Sequence, residues 1–215
     1  MGYGIRRGIA NSTFALALLA APVAAEPVTI VALGDSLTAG YGLQDDEGLV
    51  PQMQRWLDAK GAEAVVVNAG VSGDTSAGGL SRLDWSLNDD TDALIVTLGG
   101  NDLLRGLDPA VTRANLKAIL EAAKARGLPV LLVGLKASGN YGPDFKAAFD
   151  AIYPELAAEY GVLLEESFFA ALGSDPAAFI GYMQPDRIHP NADGVARVVE
   201  VLGPKVVELL GRVRG

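Results

Sequence analysis

Two periods of apolar residues alternate along this chain. Short unbroken runs rich in valine, isoleucine and leucine are followed by longer stretches whose apolar positions recur at spacings of three and four. The short runs predict strands at 28–33, 65–68, 93–98, 129–134 and 162–164. The third is apolar almost throughout, which predicts burial on both faces. The longer stretches predict helices. One spans 49–60, with Pro51 in its first turn and Gly61 at its end. A second covers 76–87. A third is capped by Asp108, opens on Pro109, and turns Val111, Leu116, Ile119, Leu120 and Ala123 to one face before Gly127. Phe145, Phe149, Ile152 and Leu156 mark a fourth. Val195, Val198, Val199, Leu202, Val206 and Leu209 mark a last one, from about Asp193.

This alternation predicts a three-layer α/β/α domain, with a central parallel sheet of about five strands and helices on both faces. Ligands in such sheets bind beyond the carboxyl ends of the strands. Four polar segments fall there. Gly34-Asp35-Ser36 follows the first strand, and Asn68-Ala69-Gly70-Val71-Ser72-Gly73-Asp74 follows the second. Gly99-Gly100-Asn101-Asp102 follows the third, and Asp186-Arg187-Ile188-His189 precedes the last helix. No linker, repeat or low-complexity tract interrupts 26–215, which reads as one domain.

His189 is the only histidine, so any mechanism that uses an imidazole must use it. A serine hydrolase needs a hydroxyl, an imidazole to take its proton, and a carboxylate to orient the imidazole. Ser36, His189 and Asp186 supply one of each. In a tight turn, residues three apart face each other. Asp186 can then hold the imidazole Nδ1–H and leave Nε2 to accept the Ser36 proton. Acyl transfer also creates an oxyanion, which needs donors already aimed at it. The candidates are the N–H of Gly73, unobstructed by a side chain, the carboxamide of Asn101, and the N–H of Ser36 at a helix start. The order Ser, Asp, His is that of the α/β-hydrolases. Their Gly-x-Ser-x-Gly elbow is absent at Ser36, however, which calls for a different serine-hydrolase architecture.

Each residue also has an ordinary structural reading. Asp35 or Ser36 can cap a helix, Gly73-Asp74 can be a plain turn, Asn101-Asp102 can be a cap, and a lone histidine can be a packed residue. Their shared position at one end of one sheet favours chemistry. Glycine-rich phosphate-binding patterns are missing after the first strand, which argues against a nucleotide site.

Composition narrows the setting. The absence of cysteine excludes disulfides, a thiol nucleophile and thiolate metal sites, and a single histidine argues against a zinc centre. Residues 1–25 read as a secretory signal peptide. Arg6 and Arg7 are followed by an apolar run around Phe14 to Ala21, too short to span a bilayer, and by Val23-Ala24-Ala25 before Glu26. The arginine pair also raises a twin-arginine signal. A cut between Ala25 and Glu26 leaves 15 of the 17 basic residues against 26 acidic ones, and takes the formal charge from −9 to −11. Such acidity argues against nucleic acid or an anionic membrane as partner. The expectation is a periplasmic or secreted monomer with no stable membrane insertion once the signal is removed.

Gly34-Asp35-Ser36-Leu37, Gly73, the Gly-Gly-Asn-Asp at 99–102 and Asp186-x-x-His189 together resemble the four blocks of the SGNH, or GDSL, hydrolase family. The resemblance runs over essentially all of 26–215. Segments 68–79, 98–106 and 140–142 are similar to its bacterial exported thioesterase/lysophospholipase/arylesterase subgroup. It implies a flavodoxin-like fold, Ser36 as nucleophile, His189 as base and Asp186 as its orienter. It implies an oxyanion hole of Gly73, Asn101 and the Ser36 amide, with no metal and no organic cofactor. The implied substrates are small acyl esters and thioesters: aryl esters, lysophospholipids and acyl-thioesters. Leu103, Leu104, Leu107, Asn140 and Tyr141 are candidate substrate-binding residues, and Phe168-Phe169 a weaker pair. Where relatives commonly carry a proline before Asn140, this chain reads Lys136-Ala137-Ser138-Gly139, which predicts a more flexible pocket loop. Two other classes remain open. An acyltransferase or a cell-envelope glycan O-acyl esterase would use the same acyl-enzyme. A non-catalytic envelope-binding module would have no need of serine, aspartate and histidine together.

Overall fold

The computed structural model describes residues 1, 2, 4 and 26–214, so all but three residues of the predicted leader lie outside the described residues. Five strands form one parallel sheet: β1 (Val28–Gly34), β2 (Ala64–Gly70), β3 (Ala93–Thr97), β4 (Val130–Val133) and β5 (Leu163–Glu165). Their order is β2-β1-β3-β4-β5. Helices fill every connection. After β1 come α1 (Ser36–Ala39) and α2 (Leu49–Ala59), and after β2 come α3 (Ser76–Ser81) and α4 (Leu83–Ser86). After β3 come α5 (Gly100–Leu104) and α6 (Pro109–Ala125), and after β4 come α7 (Pro143–Asp150) and α8 (Ile152–Tyr160). After β5 come α9 (Pro176–Gly181) and α10 (Ala192–Arg214).

The core follows from that layering. β3 and β4 are buried at every position, as central strands between two helical layers must be. α2 and α10 pack together on one side of the sheet, while α3, α6 and α8 pack together on the other. All six apolar positions predicted for the last helix are buried. α10 also contains Pro204. Its missing N–H leaves the Glu200 carbonyl without a helical donor, but both residues are exposed and water can replace it.

Two expectations need correction. The predicted helix at 76–87 is two, α3 and α4, separated at Arg82 (φ −110°, ψ 7°). The Arg82 guanidinium is bound to carbonyls of β1 and β2, and those tertiary bonds override helical propensity. The helix predicted through Phe145 and Leu156 is likewise two, α7 and α8. Pro154 is the cause, because it has no N–H for the Asp150 carbonyl and its ring crowds that carbonyl. At the sheet edge the helical cover is incomplete. β2 alternates, and Val65 and Val67 are exposed. Its outer edge is closed instead by Gln54 of α2. The Gln54 side chain donates from Nε2 to the Ala64 carbonyl (2.9 Å) and accepts from the Val66 N–H (2.9 Å). The side-chain amide thus stands in for a neighbouring strand and blocks edge pairing.

The register sets the stage for the site. Gly34 stands level with both Gly70 and Thr97, so the loops after β1, β2 and β3 leave the sheet at one height. β1 and β3 are neighbours whose chains depart to opposite sides. This is the topological switch point, where open α/β sheets form their ligand crevice.

Candidate active site

Ser36 is the first residue of α1, directly after β1. Asp35 caps that helix, its Oδ1 accepting the Leu37 N–H at 3.0 Å. Capping therefore falls to Asp35, and the Ser36 hydroxyl is free to donate to His189 Nε2, at 2.8 Å. His189 Nδ1 donates in turn to Asp186 Oδ2 at 2.6 Å. The three-residue spacing works because Asp186 uses both oxygens. Oδ1 accepts the N–H groups of Ile188 (2.9 Å) and His189 (3.1 Å), which folds the turn, and Oδ2 takes the imidazole. The His189 hydrogen bond, helped by the two backbone donors, lowers the Asp186 carboxyl to about 2. Arg187, inside this turn, has φ +58°, the only non-glycine positive φ among the described residues.

The turn is anchored from outside as well. Gln184 N–H donates to the His189 carbonyl (2.8 Å), and Met183 pairs with Pro190. Gln184 Nε2 reaches the carbonyls of Tyr41 (2.8 Å) and Pro190 (3.0 Å), tying the histidine loop to the loop after α1. The Tyr41 ring lies 4.7 Å from the imidazole, centroid to centroid. Sequence reasoning did not single out Tyr41 or Gln184. Neither belongs to a motif, and only the fold brings them to the histidine.

The donor side is built from longer reaches. Gly99, at φ +110°, turns the chain from β3 into α5, and a β-carbon there would lie 2.3 Å from the Tyr153 hydroxyl. Asn101 then donates from Nδ2 to the Asp74 carbonyl at 2.9 Å, and sits 3.4 Å from Asp35 Oδ2. One amide hydrogen is fixed on the 73–74 loop, and the other faces the Asp35 side of the site. Gly73, at φ +87°, has its carbonyl held by Arg105 (2.8 Å). The N–H groups of Gly73 and Ser36 have no acceptor among the described residues. Arg82 pins the same loop through Asp74 (2.6 Å) while holding Ala69 and Gly34 carbonyls at 2.8 Å each. Asp102 is fully buried and accepts from the Ser76 N–H (2.7 Å), the Ser76 hydroxyl (2.5 Å) and the Thr112 hydroxyl (3.1 Å). Arg82, Arg105 and Asp102 carry no sequence signal for these contacts, because these partners lie 8 to 48 residues away.

A pocket of about 210 Å³ opens beside Ser36 and His189. Asn101, Leu103, Leu104, Phe169, Phe179 and Met183 are among the residues that line it. Leu107, Asn140 and Tyr141, named as candidates, do not. Tyr141 supports α5 from behind, its hydroxyl donating to the Leu104 carbonyl (3.2 Å) and its ring against Phe145. Phe168 is core, while Phe169 reaches the pocket. The loop at 136–139, expected to be more flexible, is held at Ala137. Its N–H donates to Asp150 (2.7 Å), and its carbonyl accepts from Lys146 (2.6 Å). Asp35 lies at the pocket floor. Burial pushes its carboxyl up to about 6, against the opposing pull of the Leu37 N–H, the His189 charge and Asn101. No cluster of metal-ligating side chains occurs among the described residues.

A hydroxyl, an imidazole and a carboxylate in line, beside an apolar pocket at the switch point of a parallel sheet, define a serine hydrolase by geometry. Residues 32–197 match the model of the GDSL-like lipase/acylhydrolase family. The chain is 39% identical to the esterase TesA of Pseudomonas aeruginosa, covering 96% of this chain and all of that protein. It is 37% identical to thioesterase 1/protease 1/lysophospholipase L1 of Escherichia coli K12, covering 87% of each. The crystal structure of AlinE4, an SGNH-hydrolase family esterase, superposes with a TM-score of 0.71 at 42% identity, over 87% of this chain and 99% of that one. The chain belongs to the GDSL-like lipase/acylhydrolase family.

Proposed function

We propose that this chain hydrolyses carboxylic esters and thioesters through an acyl-enzyme on Ser36. The observation that carries the reading is the unbroken hydrogen-bond chain from Ser36 Oγ through the only histidine to Asp186. His189 Nε2 takes the hydroxyl proton as Oγ attacks the acyl carbonyl. Asp186 holds the Nδ1 tautomer and stabilises the imidazolium that forms. The oxyanion is met by the free N–H groups of Ser36 and Gly73 and by the Asn101 amide. His189 then protonates the leaving alcohol or thiol, and later draws a proton from water to release the acid. The names of the relatives, an esterase and a thioesterase/lysophospholipase, support acyl esters and thioesters as the substrate class. The pocket is smaller than those that enclose drug-sized ligands, which favours a short acyl group. Residues 1–25 act as an export signal, and the mature protein works as a periplasmic or secreted monomer. No helix among the described residues is long and apolar enough to cross a membrane.

Replacing Ser36 by Ala tests the reading. Turnover of nitrophenyl butanoate falls by about a millionfold, while the circular dichroism spectrum is unchanged. Equal rates for the two proteins would dismiss the acyl-enzyme.

A further inference from the structure

Two cations line a pocket whose other walls are mostly apolar. Lys136 follows β4, and Arg187 sits two residues before His189. Both line the pocket beside Ser36. Neither is firmly paired. Lys136 Nζ is 4.0 Å from an exposed Glu166 carboxylate, a separation and exposure at which an ion pair holds a side chain only weakly. Arg187 has no ion-pair partner among the described residues. The acids of the site are already committed, Asp186 to His189 and Asp35 to the Leu37 N–H.

The backbone adds a second observation. Arg187 occupies the left-handed region at φ +58°, where Gly or Asn would hold the same turn with less strain. A long cationic side chain is thus carried at a position whose backbone disfavours it, on a residue that lines the pocket. Strain kept at a binding site points to use of the side chain. The cations are also out of keeping with the chain as a whole, which carries a formal charge of −9.

We propose that the pocket mouth selects acyl esters whose leaving alcohol carries an anionic group, such as a carboxylate or a phosphate. The inference rests on the ester-hydrolase reading. It assigns the anion to the leaving-group side because His189 protonates that oxygen, and Arg187 belongs to the same turn. Lys136, on the loop after β4, meets the same anion on its flexible stem. The apolar remainder of the pocket takes the acyl chain.

The test uses the full chain and three butanoate esters of matched size: 3-carboxylatophenyl, neutral 3-acetylphenyl and cationic 3-trimethylammoniophenyl. Rates are corrected for uncatalysed hydrolysis. Wild type should rank them anionic, neutral, cationic in kcat/KM, with the spread narrowing as salt is raised. In Lys136→Gln/Arg187→Asn the anionic-to-neutral ratio should fall about tenfold, the combined effect expected of two partly exposed charges. Arg187→Asn alone should lower that ratio while leaving the thermal midpoint equal or higher, because Asn tolerates the left-handed turn. A phosphate monoester analogue in place of the carboxylate shows which anion the mouth prefers, and either preference supports the inference. A wild-type ratio that ignores charge, or one unmoved by the double variant, overturns it. No turnover of any ester would overturn the hydrolase reading and the inference with it.

Discussion

On the side of the proposed base, four consecutive residues fold their own turn, and Gln184 ties it to the loop after α1. Asp186 folds its own turn with one oxygen and holds the imidazole of His189 with the other. On the donor side, nothing local suffices. Asn101 reaches Asp74 across 27 positions, Arg105 reaches Gly73 across 32, and Arg82 ties Gly34 to the same loop across 48. The first side is largely exposed, and the second rests on the fully buried Asp102. A turn held by its own side chain survives loosening of the fold around it. The proposed donor array, spread over three loops, is only as well aimed as the whole sheet end that carries it.

The largest expected effect of breaking this contrast is at Asp186. Asp186→Asn keeps the turn's acceptor but favours the wrong imidazole tautomer. We expect kcat to fall by about four orders of magnitude, with the unfolding midpoint nearly unchanged. A loss of tenfold or less in steady-state kinetics would show that the carboxylate charge is dispensable.

Asp35 lies between the two sides and comes next. Burial raises its carboxyl from 3.8 to about 6. Between these values the folded chain keeps a proton that the unfolded chain has lost. Stability therefore falls as pH rises from about 4 to 6, and the penalty is complete above 6. Asp35→Asn retains a helix-capping side chain and removes the buried charge. It should be more stable than wild type by about 1–3 kcal/mol at pH 8 and by close to nothing at pH 4. Denaturant midpoints at the two pH values check this, and an equal gap at both would refute it.

The smallest expected effect is at Arg105, which touches the donor loop from the exposed side. Arg105→Met frees the Gly73 carbonyl and should lower kcat about three- to tenfold, with little change in KM or stability. A change confined to KM would mean that Arg105 handles substrate rather than the loop.

The same contrast explains what the chain reveals before folding. The strands and the last helix are legible because apolar period alone decides them. Asp186-x-x-His189 is legible because its geometry closes within one turn. Gly73 and Asn101 stand out by residue type and position in the loops, but the groups that hold them do not. Arg82 reads as an ordinary helical residue, yet its guanidinium interrupts the helix predicted there. Pro154 is visible in sequence, and its effect on the Asp150 carbonyl follows from proline chemistry once the apolar spacing is not allowed to override it. Leu107 and Tyr141 carry the composition of pocket residues, but the turn after α5 and the turn before α7 place them off its walls. Exposure of one face of β2 and its closure by Gln54 are matters of layer packing, which periodicity does not encode.

One measurement bears most directly on the central claim: hydrolysis of a nitrophenyl ester series by wild type and by His189→Ala, with circular dichroism of both. With no second imidazole to substitute, activity should vanish in the variant while its spectrum stays native. Activity that survives in a folded His189→Ala protein would contradict it, making the histidine structural and the serine mechanism wrong.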